Sequence, residues 1–316
     1  MHKNWGIYVP KNLSAMKKEL IYLFVFSILF SMCTPPMEPR VISATMDYGV
    51  VHYAEESEAL LVLFPGFGGN DKSIEHEFAV IEAANQRGID VVLMNFNQHL
   101  TLSSAELNSL ATQISTEYTL IGKELPIYIG GYSSGGNVSF LLADHLLADT
   151  ALVQPAGVFC VDSPLDLHAL YNAALRTIDR DFSEPAIQEA RMLVNLFETN
   201  FGTPQENIFQ YEAASVYTDT TQNMRNVEHL NLIKVRLYTE PDTAWWRENR
   251  GATYADMNAS TLHALAEQLS AIEGANIELI QTTNSGFRAD GRRHPHSWSI
   301  VEQSALFDWI LSNSTP

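Results

Sequence analysis

The feature that most constrains this chain is a regular alternation of short, continuously apolar runs with longer segments of helical periodicity. Ala59–Phe64 (ALLVLF), Asp90–Phe96 (DVVLMNF), Ile127–Gly130, Gly157–Val161, Lys234–Tyr238 and Ile277–Ile280 read as strands. Runs of this kind are buried on both faces of a sheet. Between and after them, Lys72–Arg87, Ser103–Tyr118, Asn137–Ala148, Ala259–Ile272 and Ser299–Leu311 carry helical spacing, and Ser103 and Glu106 are placed as a capping box. Val41–Met46 and Val50–Tyr53 read as an opening hairpin. The pattern predicts the α/β class: a mostly parallel central sheet with helices on both faces.

One interval breaks the rhythm. Pro164 to Ile233 offers helical stretches such as Ser183–Glu198 and no convincing strand. It predicts a helical cap inserted at about 167–230, with a longer crossover as the alternative. The 316 residues permit a single core. A formal charge of -18 excludes a nucleic-acid binder, which needs a basic stripe. Two cysteines build neither a disulfide scaffold nor a zinc ribbon. Cys160, in the run Val158-Phe159-Cys160-Val161, reads as a buried, inert thiol.

The N-terminus reads as a targeting segment, residues 1–33, ahead of a domain over 34–316. Lys17 and Lys18 precede the uncharged run Leu20–Met32, and Cys33 follows it. Basic flank, short apolar run and small-residue exit make a secretory signal, and the run is too short to span a bilayer comfortably. Cys33 is placed as the lipidated residue of a bacterial lipoprotein signal, and Met16 as a possible true start. Plain secretion and an uncleaved anchor are the alternatives. Removal of residues 1–33 leaves 15 basic and 36 acidic residues, a net charge of -21. The expected destination is the cell envelope or the exterior, with the membrane touched only through the N-terminal lipid.

The chemistry concentrates in Gly131-Tyr132-Ser133-Ser134-Gly135-Gly136. It fits G-x-S-x-G, and it lies between an apolar strand and a helix, the setting of a nucleophile elbow. Ser133 is the candidate nucleophile. Phe64-Pro65-Gly66-Phe67-Gly68-Gly69 follows an earlier strand, and the N–H groups of Phe67 and Ser134 are the candidate oxyanion donors. A serine hydroxyl needs a base, and the base needs an orienting acid. His296, after the last strand and before the terminal helix, is the first choice as base, with His294 as alternative. The His294–His296 pair alone supplies too few ligands for a metal. For the acid, Asp242 beyond strand KVRLY comes first, Glu240 second, and Asp162 after GVFCV third. Trp245 and Trp246 are candidates either for the pocket or for the core.

With these residues in the order Ser133, Asp242, His296, the chain resembles the α/β-hydrolase superfamily across residues 41–311. Where family members often carry His-Gly, Pro65-Gly66 stands here. The resemblance implies acyl transfer to Ser133, hydrolysis of the acyl-enzyme, and no metal or organic cofactor. It implies a serine esterase acting on a small or envelope-derived ester, with no nucleic-acid partner. Serine peptidase and carbohydrate-ester deacetylase use the same triad, and a non-catalytic envelope binding protein is the reading from another class. The fold by itself leaves the substrate open.

Overall fold

The computed structural model describes residues 40–43, 48–96, 99–121 and 124–312. The segment read as a targeting signal, with Cys33, lies outside the described residues. The strands are β1 (Arg40–Ser43), β2 (Tyr48–His52), β3 (Ala59–Phe64), β4 (Ile89–Asn95), β5 (Ile127–Tyr132), β6 (Pro155–Val161), β7 (Lys234–Thr239) and β8 (Asn276–Gln281). They form one sheet in the order β1-β2-β4-β3-β5-β6-β7-β8. From β4 onward across the sheet every neighbouring pair is parallel, and β2 joins antiparallel to both β1 and β4.

Strict alternation sends the strand side chains into two cores. Leu60, Val62, Ile129, Val158 and Val235 face one layer, built from α3 (Ser104–Ile121), α4 (Ser134–Ala148) and α9 (Asn258–Ser270). Leu61, Leu63, Tyr128 and Phe159 face the other, where α1 (Asp71–Phe78), α2 (Ile81–Asn85) and α10 (Gln303–Leu311) contribute Ile74, Phe78, Ala84 and Trp309. Burial on both faces is why the strands read as unbroken apolar runs. The segment read as one helix over Lys72–Arg87 is two, divided at Ala79, which is left-handed at φ 47°. The terminal helix begins only at Gln303, after a 3-10 turn at Trp298–Ile300.

Between β6 and β7 run α5 (Leu167–Arg180), α6 (Glu184–Phe201) and α7 (Pro204–Ala214). They hold a small core of their own, in which Tyr171, Phe197 and Tyr211 pack with Leu100 and Leu167. A further helix, α8 (Thr243–Arg250), follows β7.

The strand order fixes where a site can form. From β3 the chain steps to β4 on one side, then returns to place β5 on the other. The loops leaving β3 and β5 therefore diverge, and a crevice opens at their carboxyl ends. Those two loops are the Gly66–Gly69 turn and the turn at Ser133.

Candidate active site

Ser133 stands alone between β5, which ends at Tyr132, and α4, which begins at Ser134. Its backbone is at φ 54°, ψ -126°, a conformation L side chains rarely adopt. Two hydrogen bonds hold it there. Ser133 N–H donates to the Val161 carbonyl at 3.0 Å, and its own carbonyl accepts from Gly136 N–H at 3.0 Å. The flanking glycines are required by contact: a Cβ on Gly131 would collide with the Gly135 carbonyl, and one on Gly135 with the Pro65 carbonyl. The strain lifts the hydroxyl off the strand and over the sheet edge.

His296 meets it there. Its Nε2 lies 3.1 Å from Ser133 Oγ, and its Nδ1 lies 2.7 Å from Asp162 Oδ2. An ionised carboxylate only accepts, so Nδ1 carries the proton and Nε2 is left to accept from the serine hydroxyl. Tyr132 fixes the histidine from behind. Its hydroxyl donates to the His296 carbonyl at 2.8 Å, and the two rings sit 4.7 Å apart. The first-choice histidine is thus the one in contact, and the alternative, His294, is not in contact with the serine.

The acid differs from the first expectation. Asp162, at the end of β6, makes the contact, and neither Asp242 nor Glu240 reaches His296. Asp242 caps α8, accepting from Trp245 N–H at 3.0 Å, and its other oxygen takes Arg293 Nη2 at 2.7 Å. Glu240 is 2 % exposed and accepts from Thr282 Oγ1 at 2.9 Å, Ser285 N–H at 2.8 Å and Gly286 N–H at 3.0 Å, while also pairing with Arg293. Both carboxylates are thus committed to the loop that carries His296. Asp162 is 5 % exposed and held on three sides. Its N–H donates to the Tyr238 carbonyl at 2.8 Å, its carbonyl accepts from Asn258 Nδ2 at 2.7 Å, and its Oδ1 accepts from Thr239 Oγ1 at 2.7 Å. Its φ of 47° turns the side chain back toward the elbow. The signal in the sequence was the position directly after a strand, but nothing local tells β6 from β7 as the donor.

The candidate oxyanion residues come together at the same place. Ser134 is the first residue of α4, so its N–H has no intrahelical partner. The turn bearing Phe67 is closed by Gly69 N–H on the Gly66 carbonyl at 2.8 Å, and it lies against the elbow: a Cβ on Gly66 would stand 3.2 Å from Ser133 Cβ. Phe67, Ser133, Ser134, Asp162 and His296 border one open cavity of about 290 Å³. Its far side is supplied by Leu170 and Ala173 of α5, Met192 and Leu193 of α6, and Trp246 and Arg250 of α8. Trp245 is absent from that wall and packs against Trp246 and His294, with ring centroids 5.2 and 4.8 Å away.

His294 borders the cavity too. Burial, with the positive charges of Arg288 and Arg250 nearby, lowers its pKa to about 3, so it is neutral at ordinary pH. Cys160 is buried and free, and burial raises its thiol pKa far above the ordinary range, in keeping with an inert thiol. Among the described residues no group of three or more His, Cys, Asp or Glu side chains is placed to hold a metal ion. No helix among them is long and apolar enough to cross a membrane.

No protein-family model and no curated protein matches the chain. Solved structures do. An esterase of the bacterial hormone-sensitive lipase family aligns over 96 % of this chain and 91 % of its own, at 14 % identity and a TM-score of 0.52. An esterase from the archaeon Pyrobaculum calidifontis aligns over 94 % and 93 %, at 16 % identity and a TM-score of 0.56. A hormone-sensitive lipase from a metagenome library aligns over 93 % and 97 %, also at 16 % identity and 0.56. At these identities the likeness is one of fold, and the fold is that of the α/β-hydrolases.

Proposed function

We propose that the protein is a serine hydrolase that cleaves carboxylic esters, with Ser133 as nucleophile, His296 as general base and acid, and Asp162 as the orienting carboxylate. One observation carries the reading: the continuous chain from Ser133 Oγ to His296 Nε2 at 3.1 Å and from His296 Nδ1 to Asp162 at 2.7 Å. Esterases among the solved structures of the same fold support the choice of ester over other acyl substrates.

The geometry gives the steps their order. Ser133 Oγ attacks the ester carbonyl as its proton passes to Nε2, and the carbonyl π pair moves onto oxygen. Asp162 stays ionised, keeps Nδ1 protonated and stabilises the imidazolium. The Phe67 and Ser134 N–H groups receive the oxyanion. On collapse the C–O bond breaks, Nε2 returns the proton to the leaving alkoxide, and the acyl-enzyme remains. Water then attacks the acyl carbon, giving up a proton to Nε2; the acyl C–Oγ bond breaks, Nε2 returns the proton to Ser133 Oγ, and the acid leaves. The α5–α6 wall of the cavity acts as a cap that sorts substrates by their apolar portion. Export, and a lipid on Cys33, follow from the basic flank and apolar run that precede that cysteine.

A fluorophosphonate probe tests the nucleophile. It should label the wild type and leave Ser133→Ala unmodified. Labelling of neither folded protein would return the molecule to the non-catalytic envelope binding reading. Turnover of a chromogenic ester series of graded acyl length, run beside peptide and sugar-acetate substrates, then separates esterase from peptidase and from carbohydrate-ester deacetylase.

A further inference from the structure

The charges around the cavity do not cancel in place. Asp256 borders it and is taken by Arg176 at 2.6 Å and Arg180 at 2.7 Å. Glu189 borders it and is matched with Arg250 at 3.4 Å. Asp162 is committed to His296 and Thr239. Arg288 is different. It borders the cavity with Ser133 and His296, and among the described residues no carboxylate lies within 4 Å of its guanidinium. Two acids face its turn without pairing with it: Glu77 accepts from Ala289 N–H at 3.1 Å, and Asp290 pairs with Arg292 at 2.6 Å. In a chain with 37 acidic and 19 basic residues, an arginine without a carboxylate partner at the mouth of a reaction cavity is against the background.

The same arginine is also held in position. Arg288 N–H donates to the Arg292 carbonyl at 2.9 Å and Gly291 N–H donates back to the Arg288 carbonyl at 2.8 Å, with Gly291 at φ +83°. The guanidinium lies 5.9 Å from the centre of the Tyr132 ring, and Tyr132 immediately precedes Ser133. The half-buried guanidinium also hydrogen-bonds the Tyr132 hydroxyl, and its remaining N–H donors suit a planar anion, which a guanidinium binds in fork geometry. His294, beside it, is neutral and neither supplies nor removes charge.

We propose that Arg288 selects the substrate: the cavity takes esters that carry a carboxylate, and Arg288 pairs with it while Ser133 attacks the ester carbonyl. The proposal rests on the reading of Ser133 as an ester-cleaving nucleophile.

The test compares matched esters. Para-nitrophenyl hydrogen glutarate and para-nitrophenyl pentanoate differ by a carboxylate in place of a terminal methyl on the acyl side. Meta-carboxyphenyl butyrate and meta-methylphenyl butyrate differ likewise on the alcohol side. In one of the two pairs the wild type should favour the acid by about tenfold or more in kcat/KM, the scale of one desolvated ion pair. That pair identifies the side on which the carboxylate sits. In Arg288→Gln the ratio should fall to near one, and Arg288→Lys should restore part of it. Added salt should lower the wild-type ratio. Ratios near one in both wild-type pairs, or a preference that survives Arg288→Gln, would overturn the proposal. A separate arm keeps it distinct from the catalytic reading. Calorimetric binding of the same esters to Ser133→Ala should favour the acid, and that preference should vanish in Ser133→Ala/Arg288→Gln. If the wild type turns over no ester but this difference is seen, the hydrolase reading fails and the carboxylate site stands. Equal binding of acid and neutral ester sinks the site.

Discussion

The carboxyl ends of β6 and β7 lie side by side, and each carries acid side chains pointing at the same loop, yet they do different work. At β6, Asp162 has one oxygen on Thr239 and the other on His296 Nδ1. At β7, Glu240 and Asp242 share Arg293, and Glu240 also collects two backbone N–H groups of the histidine loop. The first acid orients the imidazole, and the second pair fixes the peptide from which the imidazole hangs. The difference teaches that a carboxylate near a histidine is assigned by what its oxygens reach, not by its place in the chain order. All three acids follow neighbouring strand ends in the sequence, and only Asp162 is placed with an oxygen against the ring.

The sharpest way to break the comparison is to swap the acids chemically. Asp162→Asn should lower kcat by roughly 10⁴-fold, because the amide can donate to Nδ1 and so stabilise the wrong tautomer. Unaltered thermal unfolding should show the loss to be one of catalysis. Next in size is Arg293→Met, which leaves Glu240 buried with no counter-ion. Denaturant unfolding should show a loss of about 3 kcal/mol. Activity on a small ester should fall only as the loop loosens.

The two histidines of that loop repeat the contrast in titration. His294 has a pKa of about 3 in the folded chain against an ordinary 6.5. Below 6.5 the unfolded chain binds a proton that the folded one refuses, so stability falls as pH drops from 6.5 toward 3. His294→Phe keeps the stacking ring and should flatten that decline in melting temperature. The smallest effect belongs to Asp242→Asn, which keeps an oxygen for the α8 cap. It should change kcat by no more than about twofold, as expected of a partly exposed ion pair. A loss comparable to that of Asp162→Asn would reverse the assignment of the two strand ends.

The sheet, its parallel sense and the elbow were legible because each is written locally. ALLVLF is apolar on both faces, and the glycines around Ser133 leave no space for a side chain. His296 was legible by its place between the last strand and the terminal helix. The acid was not, because it depends on contacts between residues far apart in the chain. Asp162 is selected by Thr239, Asn258 and His296, up to 134 positions away, and Asp242 is removed from contention by Arg293, 51 positions on. Arg288 was missed for the same reason. A loop arginine carries no periodicity, and its standing without a carboxylate partner is visible only once its neighbours' partners are known.

Asp162 is also the residue through which the chain leaves the sheet toward α5. Its amide, its carbonyl and its Oδ1 are each clamped to Tyr238, Asn258 and Thr239. The clamps work like the strain relief on a cable. A displacement of the three helices would have to pass these clamps before it reached the carboxylate. The position of the carboxylate is therefore set by the sheet and not by the helices that follow it, and amide exchange at Asp162 should be slower than the average over α5 to α7.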